Sequence, residues 1–310
     1  MASAADNRRG ILAMLAAMAC FITNDMLVKL VAGAHATSQI VAIRGVFAVL
    51  AALTLAAAFG QLRHLPRVAQ PAVGLRALLE TGTAFTFITA LAHLPLANIT
   101  AILQGTPLIM TLIVAVSGME VVGWRRWGAI LVGFAGVLVV IRPATSGFDL
   151  WSAVAVLAAV LAATRDLVTR RISPEVPSLL VMLATTVAVM VLGFAAGASE
   201  GFASWRPIGL REAQLLAGAA VVVSIGNYCI VVACRNSDVA LVSSFRYSII
   251  VWATALGYLV GGDLPGLTTI AGTLLIIASG LYTIHRERAR ARAAVAPLAA
   301  VAAPSGEARP

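Results

Sequence analysis

Apolar runs of about 20 residues, parted by short polar stretches, fill the chain from Gly10 to His285, and about 20 apolar residues is the length an α-helix needs to cross a bilayer. That feature confines the chain to the membrane. Charged residues make up 11% of the 310 residues, against about 25% in soluble domains, so a soluble globular enzyme is excluded. Expected spans lie at about 10–32, 37–59, 71–92, 96–117, 124–141, 150–170, 177–197, 211–233, 238–260 and 266–285. The runs are rich in Ala and Leu and lack the alternation of a membrane barrel. The expected fold is an all-α membrane protein with ten transmembrane helices.

Net charge of +9 attracts nucleic acid only when the charges share one wetted face, and here they are scattered between apolar runs. Positive residues gather in cytoplasmic loops of membrane proteins. With the N-terminus inside, Arg8, Arg9, Arg63, Arg67, Arg125, Arg126, Arg170, Arg171, Arg235, Arg286, Arg288, Arg290 and Arg292 face the cytoplasm, while Arg142, Arg206 and Arg211 face outward. Both termini are therefore expected to be cytoplasmic, in the inner membrane. Arg8 and Arg9 ahead of an apolar run, with Ala34-His35-Ala36 beyond it, resemble a cleaved leader. Asn24, Asp25 and Lys29 interrupt that run, and cleavage is not expected. Residues 1–9 form a short tail, and the Ala, Arg and Pro of 286–310 carry no apolar periodicity, so a disordered basic tail resting on anionic lipid is expected there.

Self-similarity divides the rest. Thr23-x-Asp25-x3-Lys29 in the first span returns as Thr164-x-Asp166-x3-Arg170 in the sixth, an offset of 166 − 25 = 141. Ala97, Thr111, Gly118 and Glu120 return as Ala240, Thr254, Gly261 and Asp263, and Gly128 and Gly136 as Gly272 and Gly280. Two five-span units, 10–141 and 150–285, are expected. An odd number of spans makes the copies enter from opposite sides, giving inverted repeats of the kind secondary transporters use, with sites near the midplane.

These residues resemble the drug/metabolite transporter superfamily, in its form with ten helices and two EamA domains. The resemblance rests on Asn24-Asp25-x3-Lys29, on Arg44, and on Glu120-x7-Gly128-x7-Gly136 with its echo Asp263-x8-Gly272-x7-Gly280. Arg246-Tyr247 is similar to a branch that includes bacterial uptake carriers for S-adenosylmethionine. The resemblance implies a central cavity lined by spans one to four and six to nine, with five and ten peripheral. In agreement, no ionisable residue occurs between Trp127 and Ile141 or between Leu267 and Ile284 apart from Tyr282. Asp263, where many relatives carry Glu, departs from the pattern.

Charges inside a bilayer cost about 2.5–3.5 kcal/mol each on insertion scales, so they face partners, water or solute. Asp25 with Lys29, and Arg76 with Glu80, stand four apart and are placed to neutralise one another on a single helix face. The sharper expectation makes them outer and inner gates that open in alternation. Arg76, near a helix end, also has the reach to snorkel to the interface. Lys29, Arg44, Arg76, Arg165 and Arg246 outnumber Asp25, Glu80 and Asp166, an excess that a solute carboxylate, lipid phosphate or water can balance. Candidate binding or gating residues are Asp25, Lys29, Arg44, Glu80, Gln104, Asp166, Asn227, Tyr228, Arg246 and Tyr247. Gln104-Gly105-Thr106-Pro107 breaks the fourth span, since proline removes a backbone hydrogen bond. Asn227 and Tyr228 offer donors either to a cavity or to neighbouring helices. Trp252 either stacks on a solute ring or packs. Glycines of spans five and ten permit close helix approach, within the chain or in a homodimer through those spans.

His35, His64, His93 and His285 lack zinc spacing, the three cysteines make no disulfide framework, and no Walker or nucleophile pattern occurs. No metal or cofactor is expected. The function expected is alternating-access transport of a small polar organic metabolite, such as an amino acid, nucleoside-like or vitamin-like solute. Asp25, Glu80 or Asp166 is the candidate carrier of a coupling proton, because a low-dielectric surround penalises the charged carboxylate. A membrane-embedded enzyme and a structural or assembly protein are the alternatives.

Overall fold

A computed structural model describes residues 4–118, 124–141, 150–173, 175–234, 242, 245–262 and 264–302. Glu120, Arg142, Arg235, Ser243, Ser244 and Asp263 lie outside the described residues. Within them every regular element is helical: α1 (Ala4–Ala32), α2 (Thr37–Ala58), α3 (Pro71–His93), α4 (Leu96–Leu103), α5 (Thr106–Val116), α6 (Trp124–Ile141), α7 (Leu150–Thr169), α8 (Ser178–Ser199), α9 (Leu210–Cys234), α10 (Ile249–Gly261) and α11 (Leu267–Ala302). Two 3-10 segments, Gln61–Val68 and Phe245–Ser248, precede α3 and α10.

Described helices fall in the expected intervals, α4 and α5 sharing the fourth, while 238–241 and 243–244 of the ninth lie outside the described residues. Among the described residues six helices are long and apolar enough to cross a membrane: Asp6–Ala32, Thr37–Ala58, Leu96–Val116, Leu150–Thr169, Ser178–Ser199 and Leu210–Ile230. Trp127–Ile141, Phe245–Gly261 and Leu267–Thr283 are shorter apolar helices. The more polar α3 carries Arg76, Glu80 and several threonines. Thr81, Thr83 and Thr86 return their hydroxyls to carbonyls one turn back, Ala77, Leu79 and Gly82, at 2.8–2.9 Å. Such back-bonding leaves no hydroxyl donor unmet in an apolar surround.

Antiparallel neighbours give the bundle two ends. The upper end carries the α1–α2, α3–α4 and α8–α9 connections. It is tied by Gln39, which accepts from Arg206 N at 3.2 Å and donates to Arg206 O, by Trp205 Nε1 donating to Ser38 Oγ at 3.0 Å, and by His93 stacked on Trp151 at 3.5 Å. The lower end carries the α2–α3 and α7–α8 connections, joined where Ser173 N donates to Gln70 Oε1 at 3.3 Å.

The broadest helix contacts are α1 on α9, α2 on α8, α3 on α7 and α6 on α11. Lipid tails are as apolar as leucine, so helices in a bilayer associate through close packing more than through hydrophobicity. Gly136 and Gly272 make α6 and α11 meet backbone to backbone: a Cβ on Gly136 lies 2.7 Å from Gly272 O, and one on Gly272 lies 2.5 Å from Gly136 O. A Cβ on Gly280 meets the Tyr247 hydroxyl. These glycines are therefore engaged within the chain. The large buried side chains at the centre include Ile22, Ile40, Ile88, Leu91, Leu96 and Ile99.

One difference from expectation concerns the tail. α11 continues through Ala302, into the 286–310 segment expected to be disordered, because Ala and Arg rank high in helix propensity and outweigh the missing apolar stripe.

Candidate functional site

Two polar relays cross the apolar interior, one in each half of its height. The upper relay joins α1 to α2. Asn24, buried at 5% exposure, donates through Nδ2 to Asp25 Oδ1 at 2.8 Å and accepts from an Arg44 guanidinium nitrogen at 3.2 Å. One neutral amide therefore stands between a carboxylate and a guanidinium. Arg44 Nε is buried without a hydrogen-bond partner.

The lower relay joins α3 to α7. Arg165 holds Glu80 Oε2 at 2.8 Å and, through Nε and a terminal nitrogen, Asp166 Oδ1 at 2.9 and 2.8 Å. Arg76 binds beside it, donating to Thr169 Oγ1 at 3.0 Å and Thr185 Oγ1 at 2.6 Å. Arg44 lies within electrostatic reach of both Asp25 and Glu80, so the relays form one string of three carboxylates and three guanidiniums.

The described ion pairs at 4 Å or less join Arg165 to Glu80 and Asp166, and Arg76 lies within electrostatic reach of Glu80, four residues along its own helix. Lys29 donates to the carbonyls of Leu91 and Leu94, where the end of α3 leaves acceptors without intrahelical donors. Glu80 turns to Arg165 because a partner on α7 lets one guanidinium satisfy two carboxylates. Within the string Arg44, Arg76 and Arg165 face Asp25, Glu80 and Asp166.

The remaining candidates are dispersed. Gln104 is half-buried at the α4–α5 break. There Pro107 has no N–H for the Leu103 carbonyl, and Thr106 Oγ1 supplies a donor at 2.6 Å, so the break is internally satisfied at that carbonyl. Asn227 and Tyr228 are exposed on α9, Tyr228 at 66%. Arg246 is exposed in its 3-10 segment, while Tyr247 is buried against Gly280. Asn24, Thr169 and Thr185 join the site without having been among its candidates, beside Arg76 and Arg165, which the sequence marked as intramembrane charges. Their signal is a polar residue in an apolar run, which marks cost without naming a partner.

A cavity of about 340 Å³ opens at the upper end, lined by the α3–α4 turn and the nearby ends of α6, α7, α10 and α11. Its polar lining includes Asn98, Ser152 and Thr269, with Thr269 Oγ1 donating to Asn98 Oδ1 at 3.0 Å. Among the described residues no group of three or more His, Cys, Asp or Glu is arranged to hold a metal.

Residues 8–142 and again 149–284 match the EamA-like transporter family. The chain is 25% identical over 282 residues to the pseudopaline exporter CntI of Pseudomonas aeruginosa, covering 88% of this chain and 94% of that protein. It is 28% identical over 213 residues to an S-adenosylmethionine uptake transporter of Rickettsia felis, with 66% and 68% covered. Against a riboflavin transporter of Rhizobium johnstonii it is 26% identical over 234 residues, with 74% and 72% covered. A solved crystal structure superposes with a TM-score of 0.62 over 90% of this chain and 98% of that one, at 20% identity, a likeness of fold alone. Apolar helices that cross a bilayer, and a family match over both halves of the chain, make this chain a multi-pass membrane protein of the EamA-like transporter family, a transporter and not an enzyme.

Proposed function

We propose that the chain is a secondary carrier of a small polar organic metabolite, working by alternating access between two inverted five-helix repeats in the inner membrane, with both termini cytoplasmic. The observation that carries this reading is the symmetry of the packing. Exchanging the two halves turns α1 into α7, α2 into α8, α3 into α9, α4 with α5 into α10, and α6 into α11. Under that exchange α1 on α9 becomes α7 on α3, while α2 on α8 and α6 on α11 map onto themselves, and these are the broadest contacts in the molecule. Five helices being an odd number, such an axis lies in the membrane plane.

The string of charges lies where the halves meet. Rocking one repeat against the other stretches the Glu80–Arg165 bond, which spans them, and leaves the Asn24 bridge within the first repeat undisturbed. The lower relay then serves as a gate. The upper cavity gives solute a way in or out on the opposite side. Relatives that carry S-adenosylmethionine, riboflavin and pseudopaline support a metabolite-sized organic solute here.

Counterflow in proteoliposomes tests this reading, using labelled S-adenosylmethionine, riboflavin and an amino-acid mixture. At least one solute accumulates above protein-free vesicles if the carrier reading holds. None does so if it fails. A coupling proton, if used, sits on Asp25, Glu80 or Asp166. Retention of pH-gradient-driven uptake in Asp25→Asn, Glu80→Gln and Asp166→Asn alike removes the proton from all of them.

A further inference from the structure

Resting on that carrier reading, we infer that Arg44 is the receptor for a carboxylate of the solute and that Asp25 meets a cationic group beside it, so that the transported species is a zwitterion. The duplicated positions supply the reason. At the offset of 165 − 24 = 141, Asn24 corresponds to Arg165, Asp25 to Asp166 and Arg44 to Thr185. In the lower half Arg165 fills its place completely, with charge-assisted bonds of 2.8–2.9 Å to Asp166 and Glu80. In the upper half an uncharged amide stands there, and the two ions beside it are held apart by it.

Each ion keeps bonding capacity. A guanidinium carries five N–H donors in a planar fork, and Arg44 has one described hydrogen bond, at the long distance of 3.2 Å, with Nε buried and unmet. A carboxylate oxygen pair offers about four acceptor sites, and Asp25 has one described bond. A buried donor without a partner is costly and calls for an explanation. A carboxylate is the group whose geometry matches the guanidinium fork in bidentate fashion. An ammonium or sulfonium on the same solute falls beside Asp25, two bonded contacts away across the Asn24 amide.

The relays also differ in reach. Arg165 ties α7 of the second repeat to α3 of the first, whereas Asn24 ties α1 to α2, both in the first. A zwitterion seated on Arg44 and Asp25 brings to the upper half the mobile charges that Arg165 provides permanently below. Only one of the two related positions is therefore open to solute.

Thermal stabilisation of the purified full chain tests the inference with matched probes: S-adenosylmethionine against its decarboxylated form, methionine against methioninamide, and riboflavin, which has neither carboxylate nor ammonium. A carboxylate-bearing probe is expected to bind at least about tenfold more tightly than its partner lacking that group, the fold-change that one hydrogen bond to a charged group supplies. Arg44→Gln is expected to abolish the discrimination. Should that variant fold poorly, Arg44→Lys keeps the charge but loses Nε and the fork, and its affinity is expected to fall about tenfold with discrimination reduced. Equal stabilisation by the amide, the decarboxylated form or riboflavin overturns the proposal, as do wild-type affinity in Arg44→Lys and a panel in which no carboxylate-bearing probe stabilises the protein. Counterflow separates the two readings. Riboflavin exchange unchanged by Arg44→Lys leaves a carrier without a zwitterion site, and no exchange of any probe rejects both.

Discussion

Asp25 and Asp166 stand at matching positions of a duplicated sequence, and each takes a hydrogen bond from the residue just before it, yet the two surroundings behave oppositely. Below, the preceding residue is Arg165, a charge that grips two carboxylates and bridges the repeats. Above, it is Asn24, an amide that separates Asp25 from Arg44 and bridges nothing beyond the first repeat. Both positions carry a carboxylate, and the residue before it, Arg165 below and Asn24 above, decides which partners that carboxylate keeps.

The largest effect expected of a substitution comes from Arg165→Gln, which strands Glu80 and Asp166 together. Losing one partner of a buried ion pair costs about 3–5 kcal/mol. Arg165 and Glu80 keep 22% and 29% of their side-chain exposure, so about 2–3 kcal/mol is expected here. Chemical denaturation in detergent measures it, and a loss below that of Asn24→Ala breaks the contrast between tether and bridge. Asn24→Ala removes two bonds, one at each side of the amide, and about 1–2 kcal/mol is expected. Because it lets Arg44 approach Asp25 directly, solute binding is expected to weaken more than stability. Arg76→Gln, which loses bonds to two threonines but breaks no hydrogen bond to a carboxylate, is expected to cost about 1 kcal/mol. A larger loss there extends the lower tether to α8.

The seam of α6 and α11 offers a third surrounding, with no ions at all. Gly136→Ala and Gly272→Ala each drive a Cβ into the facing carbonyl, and overpacking of about 1–3 kcal/mol is expected. A homodimer through these helices, proposed from their uncharged faces, has to use outward residues such as Leu131, Leu138 and Leu274 and not Gly136, Gly272 or Gly280. Cysteine crosslinking at those leucines that yields no intersubunit product removes the dimer.

Helix positions were legible in the sequence because a bilayer imposes length and apolarity directly on it. Partners of the intramembrane charges were not. Spacing of four along one helix suggests Asp25 with Lys29 and Arg76 with Glu80, but it says nothing of a carbonyl at the end of α3 or a guanidinium on α7 that competes for the same group. Arg246 and Tyr247 illustrate the same gap: adjacent in sequence, one is exposed and the other fills the space above Gly280. The Gln104–Pro107 break was visible as a kink, while the Thr106 hydroxyl that covers the Leu103 carbonyl follows only from coordinates. Asn24 was visible as a motif letter whose role as a bridge depends on Arg44 arriving from another helix.

Inversion of the two halves is the claim on which the gate, the tether and the open position all rest. Ala34 follows α1, and Glu175, at the offset of 175 − 34 = 141, follows α7. Single cysteines at these positions, in a background without Cys20, Cys229 and Cys234, are to be labelled in intact cells with a membrane-impermeant maleimide. The account predicts that Ala34→Cys reacts from outside and Glu175→Cys only after permeabilisation. Reaction of both from the same side contradicts it.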